Sequence, residues 1–69
     1  MIEVFKTNVQ NRKQANKLLK ILSNKYPEAK INFDIDDCDK VLRVDANTIA
    51  VKEIIVCLNQ VGFKCEELQ

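Results

Sequence analysis

Three cysteines, four clustered aspartates and a short cationic run are the side chains of this sequence that could amount to a chemical site. Cys38, Cys57 and Cys65 offer thiolates, the donors that soft ions such as Cu(I) and Zn(II) select. Asp34, Asp36, Asp37 and Asp39 offer hard carboxylate oxygens, yet all four come from one turn. The spaced D-x-D-x-D-G loop with its terminal Glu, which holds calcium, is missing, so these aspartates read as a solvated hairpin tip. The 69 residues include no histidine, which removes the commonest general base and metal ligand near neutral pH. No nucleophile can be paired with a base from the remaining residues, and the chain is expected not to be an enzyme.

The cations are more informative. Lys13, Lys17 and Lys20 recur at i, i+4 and i+7, and Arg12 precedes them, so one helix face carries a basic stripe that starts at the helix N-terminus. Cations in a first turn oppose the helix dipole, where stability alone favours Asp or Glu. A solvated outer face accounts for lysines in general, whereas this placement fits docking to an acidic protein surface. The stripe is part of a wider asymmetry. Residues 1 to 30 carry seven basic and two acidic groups, residues 31 to 69 four basic and eight acidic, and the net charge is only +1.

The elements that must hold these residues follow from periodicity. Ile2 to Thr7 is a β-branched and aromatic strand whose inward phase the pattern leaves open. From Asn11 to Lys25, the residues Ala15, Leu18, Leu19 and Leu22 mark a helix, with Ile21 widening its apolar stripe and Pro27 ending it. Ile31, Phe33 and Ile35 alternate with polar residues as one strand of a hairpin, and Lys40 to Asp45 supplies the other, with Leu42 and Val44 inward. Val51, Ile54, Ile55, Leu58 and Val61 mark a second helix that Gly62 ends, and Phe63 to Leu68 supplies a last strand. Strand, helix, strand, strand, helix, strand is the ferredoxin-like βαββαβ order. It predicts a single α+β domain over 1–69, with a four-stranded antiparallel sheet and both helices on one face. In that topology residues 8 to 12, 36 to 40 and 60 to 63 share one pole.

Compartment is read from what the sequence contains. The start MIEVFKTNVQ has no basic head, apolar stretch or cleavage site of a signal peptide, and no run is apolar enough to cross a membrane. With three cysteines, an odd number, a disulfide framework is not expected, and the reading is cytoplasmic with reduced thiols. Cys57 sits among Ile54, Leu58 and Val61 and reads as a buried small hydrophobe, whereas Cys38 lies in the acidic turn. Nucleic acid is not an expected partner, since the stacking aromatics of an RNA-recognition sheet are absent.

Across its length the chain resembles a heavy-metal-associated domain, the small module of copper chaperones and metal ATPases. The likeness is carried by Phe5-Lys6-Thr7-Asn8-Val9-Gln10-Asn11-Arg12-Lys13-Gln14-Ala15, by Lys40-Val41-Leu42-Arg43-Val44 and by Val61-Gly62-Phe63-Lys64. Val9 falls where that family often has Met, and Asn11 and Gln14 fall where its C-x-x-C cysteines belong, with Leu18, Ile21 and Leu22 on its apolar positions. The resemblance implies a kept fold and a lost metal motif, because a neutral amide oxygen is a poor ligand for a soft ion. Asn11 then reads as a helix cap and Gln14 as a solvent-facing helix residue. In the resembled family this helix and loop are the surface through which chaperones meet target domains, which points to Arg12, Lys13, Lys17 and Lys20. The leading expectation is a metal-free interaction or regulatory module without a cofactor. The alternative is Cu(I) or Zn(II) handling, through relocated Cys38 and Cys65 or through thiolates that a partner supplies. That family commonly opens its second helix with Ser or Thr three places before Glu; here Ala50 stands before Glu53, so half of that cap is missing.

Overall fold

The computed structural model describes residues 1–68. Along the chain run β1 (Ile2–Thr7), α1 (Arg12–Lys25), β2 (Lys30–Asp34), β3 (Val41–Asp45), α2 (Val51–Gln60) and β4 (Cys65–Glu67). The strands form one antiparallel sheet in the order β2-β3-β1-β4, the ferredoxin-like α+β arrangement. Ala15, Leu18 and Leu22 of α1, Ile54, Cys57 and Leu58 of α2, and Phe5, Phe33, Leu42 and Val44 of the sheet make a single core, so both helices cover the same sheet face.

Register settles the phase of β1. Phe5 lies opposite Leu42 on β3, and Leu42 lies opposite Phe33 on β2, so these three form one inward row. Because successive side chains alternate faces, Glu3 and Thr7 share the core side while Ile2, Val4 and Lys6 look away. Ile2 is accordingly 57% exposed.

Several boundaries differ from the periodicity: β2 stops before Ile35 and β4 before Leu68, and three further differences have a local reason. Lys40 is not in β3: it takes φ +49, the left-handed region, and its N–H closes the turn on the Asp37 carbonyl at 3.0 Å. Val61 is not in the α2 stripe; it caps the helix and is 41% exposed. Phe63 is not in β4, because its N–H donates to the Leu58 carbonyl at 2.9 Å while Gly62 N–H donates to Asn59 at 3.1 Å. Those two bonds are a Schellman ending, and the φ of +93 at Gly62 is the left-handed step it requires. The last strand therefore starts only at Cys65.

At its other end α2 lacks a side-chain cap: Ala50 is the N-cap and makes none. Glu53 instead accepts from the Tyr26 hydroxyl at 3.2 Å, which ties the start of α2 to the end of α1. Burial, and then this bond to a carboxylate, push the Tyr26 hydroxyl above its ordinary pKa.

Candidate functional site

The loops on either side of β1 meet at one pole, as the topology predicts, and Thr7 holds them there. Its N–H donates to the Asp39 carbonyl at 3.1 Å, and its Oγ1 donates to the Lys40 carbonyl at 2.6 Å and accepts from the Val9 amide at 3.3 Å. Thr7 is the buried polar side chain of the described residues, and nothing in the sequence pattern singled it out. Asn8 Oδ1 accepts from Lys64 N at 2.8 Å and joins the third loop. Beneath them Val9 is fully buried, which anchors the approach to α1.

Asn11 and Gln14 are brought together here, but as a helix cap. Asn11 is extended at φ −151, ψ 170, and its Oδ1 accepts from Gln14 N at 2.9 Å. Gln14, half-exposed on the helix, does more than face solvent: its Oε1 reaches back to accept from Gln10 N at 2.8 Å. The pair is a reciprocal cap, displaced by one residue from the usual box, in which the third helical residue returns to the residue before the cap. Its signal was present in the sequence as N-x-x-Q before an apolar periodic run. Both side-chain oxygens are thus committed to main-chain amides.

From this cap the basic face runs along α1. Arg12, Lys13, Lys17 and Lys20 are all exposed, and none has an ion-pair partner among the described residues. The helix contains no acidic residue, so no i,i+4 pair can neutralise them. Lys25, in the last turn, stands 5.9 Å over the Tyr26 ring and near the favourable end of the dipole. The ion pair that does form, Lys6 to Asp39 at 3.8 Å, fastens β1 to the hairpin tip.

The aspartates brace that tip. Asp34 Oδ1 accepts from Asp37 N at 3.3 Å, Asp37 Oδ1 accepts from Asp39 N at 2.8 Å, and Lys40 Nζ donates to the Ile35 carbonyl at 2.8 Å. The Asp37–Asp39 bond closes an Asx-turn, and the three bonds together account for Asp34, Asp37 and Lys40 without a ligand. Cys38 is exposed there, with its thiol and the Asp37 and Asp39 carboxylates within 4.8 Å of one another. Cys65 is not in that group; it sits on β4 opposite Thr7, where burial pushes its thiol up to about 11.

A cleft of about 560 Å³ opens at the opposite pole, where Tyr26, Lys30, Asp45 and Thr48 lie in its wall. No helix of the described residues is long and apolar enough to cross a membrane. No family model, curated protein or solved structure matches the chain.

Proposed function

We propose that this chain is a non-catalytic docking module, a heavy-metal-associated-type domain without paired thiolates, that meets an acidic protein surface through Arg12, Lys13, Lys17 and Lys20. The observation that carries the reading is the uncompensated charge of α1: four exposed cations, no acidic residue in the helix and no ion-pair partner among the described residues. Two of the four lie in the first turn, where they cost a few tenths of a kcal/mol against the dipole. A surface that gives up stability to hold like charges together is matched by an opposite field, which steers encounter and fixes orientation. The capped loop supports the same reading, since Asn11 and Gln14 spend their oxygens on amides rather than on an ion. Soft-metal handling through Cys38 and Cys65 has the weaker support, because burial holds Cys65 in its thiol form. Three free cysteines fit a reducing compartment such as the cytoplasm.

The test is a titration at low salt with an acidic polypeptide, polyglutamate, beside duplex DNA of matched charge. Binding of polyglutamate that weakens about tenfold in the Lys13→Glu/Lys17→Glu variant, and falls with added salt, is the expected result. Equal binding by the reversed variant, or preference for DNA, overturns the reading.

A further inference from the structure

The sheet has two open edges, β2 and β4, and they differ in what a second copy of the chain would meet. β4 is three residues long, and antiparallel pairing with itself places Glu66 against Glu66. Like charges directly opposite are destabilising, so that edge repels its own kind. β2 is different. Its sequence, Lys30-Ile31-Asn32-Phe33-Asp34, is chemically symmetric about Asn32. Antiparallel pairing centred there puts Lys30 of one copy opposite Asp34 of the other, twice, and Ile31 opposite Phe33, twice. The flanking Ala29 and Ile35 extend the match. The faces also agree: Lys30, Asn32 and Asp34 are exposed, whereas Phe33 is buried and Ala29, Ile31 and Ile35 are partly buried against the core. A shift of one residue sets inward against outward side chains, and a shift by two either sets Asp34 against Glu28 or moves Lys30 past the end of β2 to Asp36.

From this self-complementarity we infer that a second copy of the chain pairs with the β2 edge about a two-fold axis, joining two four-stranded sheets into one of eight strands. The contact is isologous and closes on itself, so it yields a dimer rather than a fibre. It uses main-chain groups for attachment and the Lys30–Asp34 pairs for register. β2 has no proline and no bulge to blunt it, and its alternation is regular. A single strand pair falls short of the roughly 1,200 Å² of a standard interface, so the dimer forms only at high protein concentration. α1 packs over β2, and two basic helices flank the seam as the opposing term. Salt therefore acts on both signs of interaction, and charge variants are the cleaner probe.

The experiment is sedimentation equilibrium of the whole chain up to about 1 mM, the weak end of specific association. The expected result is a concentration-dependent dimer. Asp34→Lys, which sets Lys against Lys twice, is expected to weaken it at least about tenfold, and the exchange Lys30→Asp/Asp34→Lys to restore it, because both pairs return with their signs swapped. Circular dichroism melts check that each variant is folded; Asp34 lies opposite uncharged Val41 on β3, whereas Lys30 lies opposite Asp45, so the exchange and its reference are both made with Asp45→Asn to avoid a like-charge pair within the chain. Line broadening confined to residues 29 to 35 in concentrated samples is the matching signature and does not depend on any variant. The Lys13→Glu/Lys17→Glu variant is expected to dimerise at least as tightly, because it relieves the repulsion between the flanking helices, whereas the docking reading expects it to lose binding. A monomer at every concentration, or a dimer that Asp34→Lys leaves unchanged, overturns the inference.

Discussion

Thr7 is a small residue with a large structural share, since one hydroxyl serves two main-chain groups of two different loops. Removing it while keeping the shape isolates that share. Thr7→Val is expected to cost about 1–3 kcal/mol in urea unfolding, because the Lys40 carbonyl and the Val9 amide lose a partner in a place water reaches poorly. Thr7→Ser keeps the bonds and is expected to lose less than half as much. The cap of α1 poses the complementary question. Gln14→Glu retains an oxygen for Gln10 N and adds a negative charge to a first turn that has none, which is worth about 0.3–1 kcal/mol in stability. Thermal melts check the sign. The chain thus carries a neutral amide where a carboxylate stabilises more, and the positive potential at the start of the basic face is kept. A melting temperature that falls in Gln14→Glu contradicts this account of the cap.

At the scale of elements the two helices start in opposite ways. α1 has a reciprocal side-chain cap and a first turn of like charges; α2 has a favourable Glu53 in its first turn and no cap. Ala50→Ser supplies the missing acceptor and is expected to add about 1 kcal/mol, which in a domain of this size raises the melting temperature by roughly 4–8 °C. An unchanged melt means that the backbone at Ala50, with ψ 89, cannot aim a serine hydroxyl at the first-turn amides. Much of this frame was legible in the amino-acid order. The α1 stripe, the alternation of β2 and the turn glycine at 62 are properties of period and φ, and local sequence encodes those directly. Other features depend on partners distant in the chain. The phase of β1 is decided by Leu42, 37 positions after Phe5, and no alternation within Ile2 to Thr7 reveals it. Phe63 has the residue type of a strand, but an α2 carbonyl claims its N–H first. The back-bond of Gln14 is encoded as N-x-x-Q, but the same pattern fits an amide solvated on a helix surface.

Over the whole molecule, the opposed charges of the two chain halves do not cancel in space. The basic excess gathers on the outer face of α1, while six of the eight acids of the second half occupy the hairpin end and the last strand. At β4 the crowding is measurable in principle. A hydrogen bond shared with Glu3, together with partial burial and Glu3's charge, holds the Glu67 carboxyl above its ordinary value, and burial does the same for the Cys65 thiol two residues earlier. Both groups bind protons more tightly in the folded chain than in the unfolded one. Their share of stability is therefore present at low pH and lost as pH rises, near the carboxylate range for Glu67 and between 9.0 and about 11 for Cys65. Tyr26, raised in the same direction, adds to the alkaline loss. The sheet is held at this edge by three register pairs with β1, so the alkaline loss is expected to appear first as opening of β4. Amide exchange is the measurement: between pH 8 and 10.5, corrected for intrinsic rates, protection at residues 65 to 67 should fall before protection at 41 to 45. Cys65→Ala abolishes the thiol's contribution and should leave these protections parallel. If β4 keeps its protection at pH 10.5 in the wild type, the buried thiol does not weaken this edge.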